Sequence, residues 1–441
     1  KVRGASPAPY RALELIALAR TATRDEGFAA EDEALADLLM GDELRAGLYA
    51  FDLTQRRAKR PSGAPDASLA RNVTKVGIVG AGLMASQLAL LFARRLEVPV
   101  VLTDLDQERL DKGVGYVHAE VDKLLAKGRI NGDQANRLKA LVTGSLDKKA
   151  FADADFVIEA VFEDLAVKRK VFAEVEELVS ETCVLATNTS SLSVTEMAAG
   201  LKHPERVVGF HFFNPVAVLP LLEVVRGEAT DDATLATAFA VGAKLKKSCV
   251  LVKDAPAFVV NRLLTRFMGE VIAAVDEGTP IEVADHALDG LGLPMTPFAL
   301  LQLVGPAVAL HVAETLHAAF PDRFKLSENL AKLVEAGKPG VYGPDFQIDP
   351  EARAIFSGGD RPSTAEEVRL RALRALAEEI RIMLEEGVVS APQDIDLCMI
   401  LGAGWPFHTG GITPYLDRTG ISEEVNGRRF LEPGVASVPA A

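Results

Sequence analysis

Residues 73–85, VTKVGIVGAGLMA, contain the clearest structural pattern in this chain. Its apolar first part ends in glycine, which predicts a strand followed by a tight turn. Gly80, Gly82 and Ala85 occupy the three small-residue positions of a phosphate-binding turn, and SQLALLFARRLE (86–97) predicts the helix that such a turn opens. Taken alone, this pattern also fits an ordinary strand-to-helix turn. Its place before a second strand that ends in an acidic residue favours a dinucleotide site.

That acidic residue is Asp104, the last residue of VPVVLTD (98–104). A carboxylate at this position hydrogen-bonds the adenosine ribose hydroxyls and repels a 2′-phosphate. Neither Leu105 nor Asp106 supplies an arginine in its place, so the sequence favours NAD over NADP. The alternative is that Asp104 caps the helix that follows.

Outward from this unit, alternating strands and helices continue to residue 254. Such alternation implies a parallel, doubly wound α/β sheet of Rossmann type. Beyond residue 254 helical spacing takes over, so we expect an all-α domain to follow. The further strand candidates are DFVIEAV (155–161), TCVLATN (182–188), RVVGFHFF (206–213) and CVLVKD (249–254), and helices are expected over 106–127 and 133–141.

The helical part contains an internal resemblance between residues 269–298 and residues 377–407. Both stretches have a helix that ends in acidic residues and glycine, then a short gap, an acidic helix start and a Gly-rich loop with Pro-Phe. Two amphipathic helices can match by chance, but four features in one order favour duplication. We therefore predict two related helical units, 255–336 and 364–425, with a linker at 337–363 between them and a tail at 426–441.

The N-terminal part of the chain shows helical spacing and then a turn-rich segment. PYRALELIALAR (9–20) and DEALADLLMGDELRAGLYAF (32–51) have the apolar spacing of helices, and RRAKRPSGAPD (56–66) is typical of a linker. We expect a helical segment over 1–54, a linker over 55–72 and a dinucleotide-binding domain over 73–254.

Composition excludes several classes of protein. Of 441 residues, 49% are hydrophobic and 25% are charged, which argues against a disordered or collagen-like chain. A net charge of −14 argues against general binding to nucleic acid or to an anionic membrane. The sequence contains no run of about 18 uncharged apolar residues, so it predicts no membrane-spanning helix. Three scattered cysteines, Cys183, Cys249 and Cys398, suit a reducing cytoplasm and predict neither a disulfide framework nor a metal site.

His211 and Glu223 are candidate catalytic groups. His211 follows the strand RVVGF in an apolar setting, and Glu223 lies in LLEVV between hydrophobic residues. A carboxylate in such a run is either buried and paired or on a half-exposed strand. Next to an imidazole it would stabilise imidazolium, which gives a general base for an alcohol proton. Spacing alone supports a structural histidine and an exposed glutamate at least as well.

A second polar group lies in ATNTSSLSV (186–194), where a predicted strand ends at Asn188. Ligands meet a doubly wound sheet at such carboxyl ends of strands. For some of these residues the alternative is helix capping by Ser191 or Ser193. Asn261 is a further candidate inside the apolar helix FVVNRLL, where a neighbouring backbone group could equally satisfy its side chain.

Jointly and in this order, six segments resemble the 3-hydroxyacyl-CoA dehydrogenase part of bacterial multifunctional fatty-acid oxidation proteins. The resemblance covers roughly residues 73–420. It implies NAD-dependent oxidation of (S)-3-hydroxyacyl-CoA to 3-oxoacyl-CoA, with the alcohol bound between the Rossmann domain and the helical domain. The segments are KVGIVGAGLMA, FVIEAVFEDLAVK, ATNTSSLS, RVVGFHFFNPV, LLEVV and DAPAFVVNRLL.

The resemblance also implies roles for individual residues. His211 resembles the family's general base, and Glu223 resembles its partner. Ser190 is expected to hydrogen-bond the 3-oxygen of the substrate, with Asn261 near the same site. The expected cofactor residues are Gly80, Gly82, Leu83, Met84, Asp104, Glu163, Lys168, Asn188 and Asn214.

The chain departs from the family pattern in places. Ala85 replaces the usual third glycine, and Ala257 stands where related segments have glycine; both are small, so we expect altered packing rather than lost binding. The second helical unit has LRALRAL where the first has VVNRLL, and so lacks the catalytic asparagine. Residues 1–54 resemble the last helices of a crotonase-type (enoyl-CoA hydratase) domain whose body is absent here, so we expect no hydratase activity.

Two other functions stay open. A dehydrogenase for another 3-hydroxy acid, such as a sugar acid or hydroxyisobutyrate, typically uses lysine as its acid and base, which the His211–Glu223 pair argues against. The chain could also serve chiefly as an assembly subunit that docks a thiolase. The expected partners are the acyl-CoA substrate, a thiolase subunit in a multienzyme complex and a second copy of the chain in a homodimer. Lys123 and Lys127 are candidate CoA contacts, although solvated surface lysines are the simpler interpretation.

Overall fold

The computed structural model describes residues 4–436, so the predictions for residues 1–3 and for the end of the tail, 437–441, lie outside the described residues. The chain forms two compact units. The sheet unit takes residues 57–258 and 388–390. The helical unit takes the residues before 57, residues 259–387 and the residues from 391 onward. The division into seven segments that the sequence suggested stays a prediction.

The sheet unit is built on one eight-stranded sheet within the described residues. Its strands are β1 (Val76–Val79), β2 (Val100–Thr103), β3 (Val142–Gly144), β4 (Phe156–Glu159), β5 (Val184–Thr187), β6 (Val207–Phe212), β7 (Leu221–Arg226) and β8 (Ser248–Lys253). Their order is β3-β2-β1-β4-β5-β6-β7-β8, and all neighbours are parallel except β6 and β7. β1, β2, β4 and β5 are buried along their whole length, as expected for strands covered on both faces. The predicted doubly wound α/β sheet is confirmed.

Helices flank the sheet and make up the helical unit, as predicted. Nineteen α-helices lie within residues 4–436. They are α1 (Ala8–Leu18), α2 (Arg24–Met40), α3 (Asp42–Gln55), α4 (Leu83–Leu96), α5 (Gln107–Ala126), α6 (Gly132–Leu141), α7 (Leu165–Glu176), α8 (Val194–Ala198), α9 (Asp232–Lys244), α10 (Val260–Asp276), α11 (Ile281–His286), α12 (Pro297–Val304), α13 (Pro306–Ala319), α14 (Glu328–Glu335), α15 (Pro350–Ile355), α16 (Ala365–Glu385), α17 (Pro392–Ala403), α18 (Thr413–Arg418) and α19 (Ile421–Asn426).

The stretch 32–51, with its helical apolar spacing, lies in two helices, because the chain breaks at Gly41 into α2 and α3. Gly41 is extended, with φ −72° and ψ 155°. Its low helix propensity combines with acidic residues in the first turn of α3, which favour a new helix N-terminus there. At the other end, a capping box between Thr23 and Glu26 starts α2 before the predicted stretch.

The two predicted helical repeats share local geometry. Gly292 and Gly404, in the Gly-rich loops, both have φ 70° and ψ 29°. A fully buried aspartate lies in each repeat, Asp285 in the first and Asp396 in the second. Each accepts a hydrogen bond from a backbone N–H at the start of a later helix and another from a tyrosine hydroxyl. This correspondence supports the prediction that the two units are related by duplication.

Residues 4–436 contain neither a single helix suited to span a membrane nor a cluster of side chains suited to bind a metal ion. No single helix among them has both the length and the apolar composition to cross a membrane. α12 and α13 meet those requirements only when counted together, and their axes differ in direction by 99°. Within the same residues, no group of three or more His, Cys, Asp or Glu side chains is arranged to hold a metal ion.

Candidate active site

The glycine loop between β1 and α4 forms the first part of the site. Gly80 has φ 112°, and a Cβ at this position would lie 2.8 Å from the carbonyl oxygen of Ala160, so the turn requires glycine. Gly82 is the N-cap of α4, and the space around its Cβ position is open. A ligand can therefore approach the backbone N–H groups where the helix starts. Leu83 and Met84 are the first two residues of that helix.

The two departures from the family pattern both lie in buried positions. Ala85 is 0% exposed and belongs to the main core cluster of the sheet unit. Ala257 is also 0% exposed and has φ 58°, a left-handed conformation that glycine adopts more readily. Both alanines are therefore part of the buried interior, and the left-handed φ at 257 costs alanine more than it would cost glycine.

A cavity of about 670 Å³ extends from the glycine loop past the end of β2. Asp104 lines it, and its carboxylate accepts hydrogen bonds of 2.7 Å from the backbone N–H groups of Ala81 and Leu105. The N-cap of α5 is Asp106, so the alternative that Asp104 caps this helix is wrong. Arg109 lies in the first turn of α5, with Nη1 3.9 Å from Oδ1 of Asp104. The sequence reasoning missed it, because it looked for an arginine only directly beside Asp104.

His211 and Glu223 lie directly opposite each other on β6 and β7. Nδ1 of the histidine is 2.7 Å from Oε2 of the glutamate, and the two residues are 4% and 0% exposed. Because a carboxylate only accepts hydrogen bonds, Nδ1 carries a proton and Nε2 is the nitrogen that can accept another. The rings of Phe213 and Phe258 pack against the imidazole at centroid distances of 4.4 and 5.7 Å. The alternative that Glu223 is an exposed strand residue is therefore wrong.

A buried network of charges lies at the carboxyl end of β4. Lys168, on α7, is 1% exposed. Its Nζ donates hydrogen bonds of 2.9 and 2.8 Å to the two carboxylate oxygens of Glu159 and lies 3.1 Å from Oε2 of Glu163. Burial by itself lowers the pKa of Lys168, but the two carboxylates outweigh it and raise that pKa. Burial raises the pKa of Glu163, but Lys168 and hydrogen bonds from Thr189 and Ser190 outweigh it, so that this pKa is lowered. Lys168 and Glu163 are therefore both charged at neutral pH.

The loop after β5 joins this network to the strand that carries the histidine. The side-chain oxygen of Asn188 accepts a hydrogen bond of 2.9 Å from the backbone N–H of Phe212, at the end of β6. The backbone N–H of Ser190 donates to Glu163 at 2.8 Å. Ser193 is the N-cap of α8, so the capping alternative is confirmed for this one residue of the loop.

The two remaining predicted site residues are placed differently. The side-chain oxygen of Asn214, in the loop after β6, accepts a hydrogen bond of 3.3 Å from Gln87 on α4. Asn261 is half-buried near the start of α10 and belongs to the helical unit. The sheet unit holds the other predicted residues, and it brings Asn188, Ser190, Glu163 and Lys168 together in one connected network. Their roles stay predictions.

Glu159 is a buried residue of this region that the sequence reasoning missed. It is 0% exposed and ends β4. The signal was present in FVIEAV, where a carboxylate interrupts an apolar run in the same way that Glu223 interrupts LLEVV. A buried carboxylate of this kind requires a partner, and here the partner is Lys168.

Comparison with protein families gives two adjoining matches. Residues 75–255 match the model described as 3-hydroxyacyl-CoA dehydrogenase, NAD binding domain. Residues 258–344 match the model for the C-terminal domain of the same family. Together the two matches cover more than half of the chain.

Individual relatives agree with these matches. A fatty acid oxidation complex subunit alpha from Idiomarina loihiensis is 32% identical over 457 aligned positions, which cover 100% of this chain and 64% of the relative. The structure of 3-hydroxybutyryl-CoA dehydrogenase from Escherichia coli is 26% identical with a TM-score of 0.70, and the match covers 83% of this chain and 98% of that one. The structure of (S)-3-hydroxybutyryl-CoA dehydrogenase from Ralstonia eutropha is 34% identical with a TM-score of 0.57, over 60% of this chain and 95% of that one. The chain thus spans less than two thirds of the length of its curated relative.

Proposed function

Because the chain belongs to the 3-hydroxyacyl-CoA dehydrogenase family, we propose that it oxidises (S)-3-hydroxyacyl-CoA to 3-oxoacyl-CoA with NAD, as a step of fatty-acid β-oxidation. The observation that supports this most is the buried pair of His211 and Glu223, in which Nδ1 of the histidine lies 2.7 Å from Oε2 of the glutamate and Nε2 is left to accept a proton. Such a pair is suited to removing an alcohol proton. It argues against a sugar-acid type of dehydrogenase, for which we expect a lysine in that role.

The proposed reaction divides the work between the histidine and its partner. Nε2 of His211 accepts the proton of the 3-hydroxyl group while C3 loses a hydride. The imidazolium that forms carries its positive charge beside the carboxylate of Glu223, which stabilises it. Ser190 and Asn261 are proposed to orient the 3-oxygen. In the reverse direction His211 returns the proton to the oxygen.

The glycine loop and Asp104 are proposed to hold the cofactor. The backbone N–H groups at the start of α4, from Gly82 to Met84, suit a pyrophosphate. Asp104 accepts two backbone hydrogen bonds and keeps lone pairs for the adenosine ribose. Asn188 and Asn214 are proposed to line the nicotinamide side. NAD, when bound, supplies the acceptor for the hydride that leaves C3.

An absorbance assay of NADH consumption tests this function. The purified chain is mixed with NADH and acetoacetyl-CoA, then with longer 3-oxoacyl-CoA thioesters. We expect NADH to be consumed with the thioesters, because the family acts on the CoA-linked substrate. The matched control is free acetoacetate, which should react far more slowly. A chain that binds NADH and consumes none of it with any 3-oxoacyl-CoA would refute the proposal.

The relatives also suggest a setting for the enzyme. The curated relatives are alpha subunits of a fatty acid oxidation complex, and we propose that this chain likewise works in a multienzyme complex in the cytoplasm with a thiolase subunit. Size-exclusion chromatography with and without a thiolase from the same genome tests the association, and it also reports whether the chain alone is a homodimer. The expectation that the chain has no hydratase activity stays a prediction.

A further inference from the structure

We infer that Glu159 is a positioning residue, which holds Ser190 in place through Lys168 and Glu163. This inference rests on the proposed function, because it assumes that Ser190 meets the substrate oxygen. Glu159 itself is 0% exposed, so it does not touch a ligand. Its effect on the reaction must therefore pass through the groups to which it is bonded.

The first link runs from Glu159 to Lys168. The ammonium of Lys168 donates to both oxygens of Glu159, at 2.9 and 2.8 Å, and this two-point contact fixes the position of the charge. The same ammonium lies 3.1 Å from Glu163, which is partly exposed at 23%. A cation that is 1% exposed needs its partners, so loss of one carboxylate leaves Lys168 dependent on the other.

The second link runs from Glu163 to the loop. One oxygen of Glu163 accepts hydrogen bonds from the backbone N–H of Ser190 at 2.8 Å and from the hydroxyl of Thr189 at 2.6 Å. The hydroxyl of Ser190 lies 3.2 Å from the same oxygen. If Lys168 lost Glu159, its attraction would draw Glu163 away from these donors. The predicted substrate-binding serine would then lose its fixed position.

A second route connects Glu159 to the same loop. The hydroxyl of Thr187 donates to the carboxylate of Glu159 and accepts a hydrogen bond of 3.1 Å from the backbone N–H of Thr189. The backbone carbonyl of Glu159 accepts from the N–H of Asn188 at 3.1 Å. Side chain and backbone of one buried residue therefore both act on residues 187–190. Two routes of hydrogen bonds therefore connect Glu159 to the loop that carries Ser190.

Glu159→Gln tests the inference, because it keeps the size of the side chain and removes its charge. We expect kcat for 3-oxoacyl-CoA reduction to fall by about 10- to 100-fold, since small displacements of reacting groups cost this much. The dissociation constant for NADH, measured by fluorescence, should rise by a smaller factor than kcat falls, because Glu163 and Lys168 are expected to contribute to cofactor binding while the glycine loop and Asp104 are untouched. The matched control is Glu176→Gln, which removes a buried carboxylate on α7 that accepts from the N–H groups of Lys202 and His203. That variant should lower thermal stability and leave kcat within about twofold of wild type.

A double-mutant cycle with Ser190→Ala separates positioning from a merely structural role. If Glu159 acts through Ser190, adding Glu159→Gln to Ser190→Ala should lower kcat by less than about twofold further. Fully additive losses, or an unchanged kcat in the single variant, would overturn the inference. If Glu159→Gln does not fold, Thr187→Val takes its place in the cycle, with an expected loss of about three- to tenfold and the same two refuting outcomes. A wild-type chain without any NADH-linked activity would instead refute the proposed function.

Discussion

Replacing His211 by glutamine is the sharpest test of the proposed reaction. Glutamine fills a similar volume on β6 but cannot accept and return a proton at neutral pH. General acid–base catalysis contributes about 10²- to 10⁴-fold, so we expect kcat to fall by at least ~10²-fold. Binding of NADH should be nearly unchanged, because the glycine loop and Asp104 lie at the ends of other strands.

The size of the effect at Glu223 follows from its contact with the histidine. The two atoms are 2.7 Å apart and both side chains are buried, so the hydrogen bond is charge-assisted in a low-dielectric setting. Exchanging it for a neutral one costs about 1.4 kcal/mol, which is tenfold in rate. Glutamine can also donate to Nδ1 and leave the proton on Nε2, and this wrong tautomer costs up to ~10⁴-fold. We therefore expect Glu223→Gln to lower kcat by about 10- to 10⁴-fold.

The two changes belong in one assay. NADH consumption with acetoacetyl-CoA gives kcat and KM for each variant, and thermal unfolding shows that each variant is folded. Because the pair acts as a unit, the double variant should be little worse than His211→Gln alone. A folded His211→Gln protein within about threefold of wild type would refute the reasoning as a whole. Strictly additive losses would leave His211 as the base and remove Glu223 from its proposed role.

Three further predictions concern the cofactor preference, the stability at acid pH and the reactivity of the buried cysteines. Asp104→Ala should raise the ratio of NADP to NAD turnover by about tenfold, because the carboxylate that repels the 2′-phosphate is gone and Arg109 lies nearby. An unchanged ratio would contradict this prediction. The pKa of Glu163 is lowered on folding, so its stabilisation is present above the ordinary value of 4.5 and is lost as the pH falls through the lowered pKa. Below pH 4.5, the free energy of unfolding measured with urea should therefore depend less on pH for Glu163→Gln than for wild type. An equal pH dependence in the two proteins would contradict this prediction. Burial raises the pKa of Cys183 and Cys249 to about 12. At neutral pH these two thiols should therefore resist iodoacetamide in the folded chain and react with it in urea. Rapid labelling of either thiol in the folded chain would contradict this prediction.

Features that depend on neighbouring residues in the chain could be predicted. The turn at Gly80 requires a positive φ, and the apolar run before it forms a buried strand, so both follow from local sterics and burial. The alternation of strands and helices along the chain likewise predicted the parallel sheet. β3 escaped prediction because it has three residues and exposes Thr143 and Gly144, which leaves no apolar run to detect.

The fold class, the glycine loop and the list of candidate residues could all be predicted from the sequence, because each rests on a local pattern. Which of those candidate residues contact one another became clear from the three-dimensional fold. The antiparallel register of β6 and β7 places Glu223 opposite His211 across 12 positions of sequence, where spacing left an exposed glutamate equally open. Likewise, Lys168 contacts Glu159 because α7 returns over the end of β4. Strand register and helix packing are set by burial of the whole core, and no short stretch of sequence contains that information.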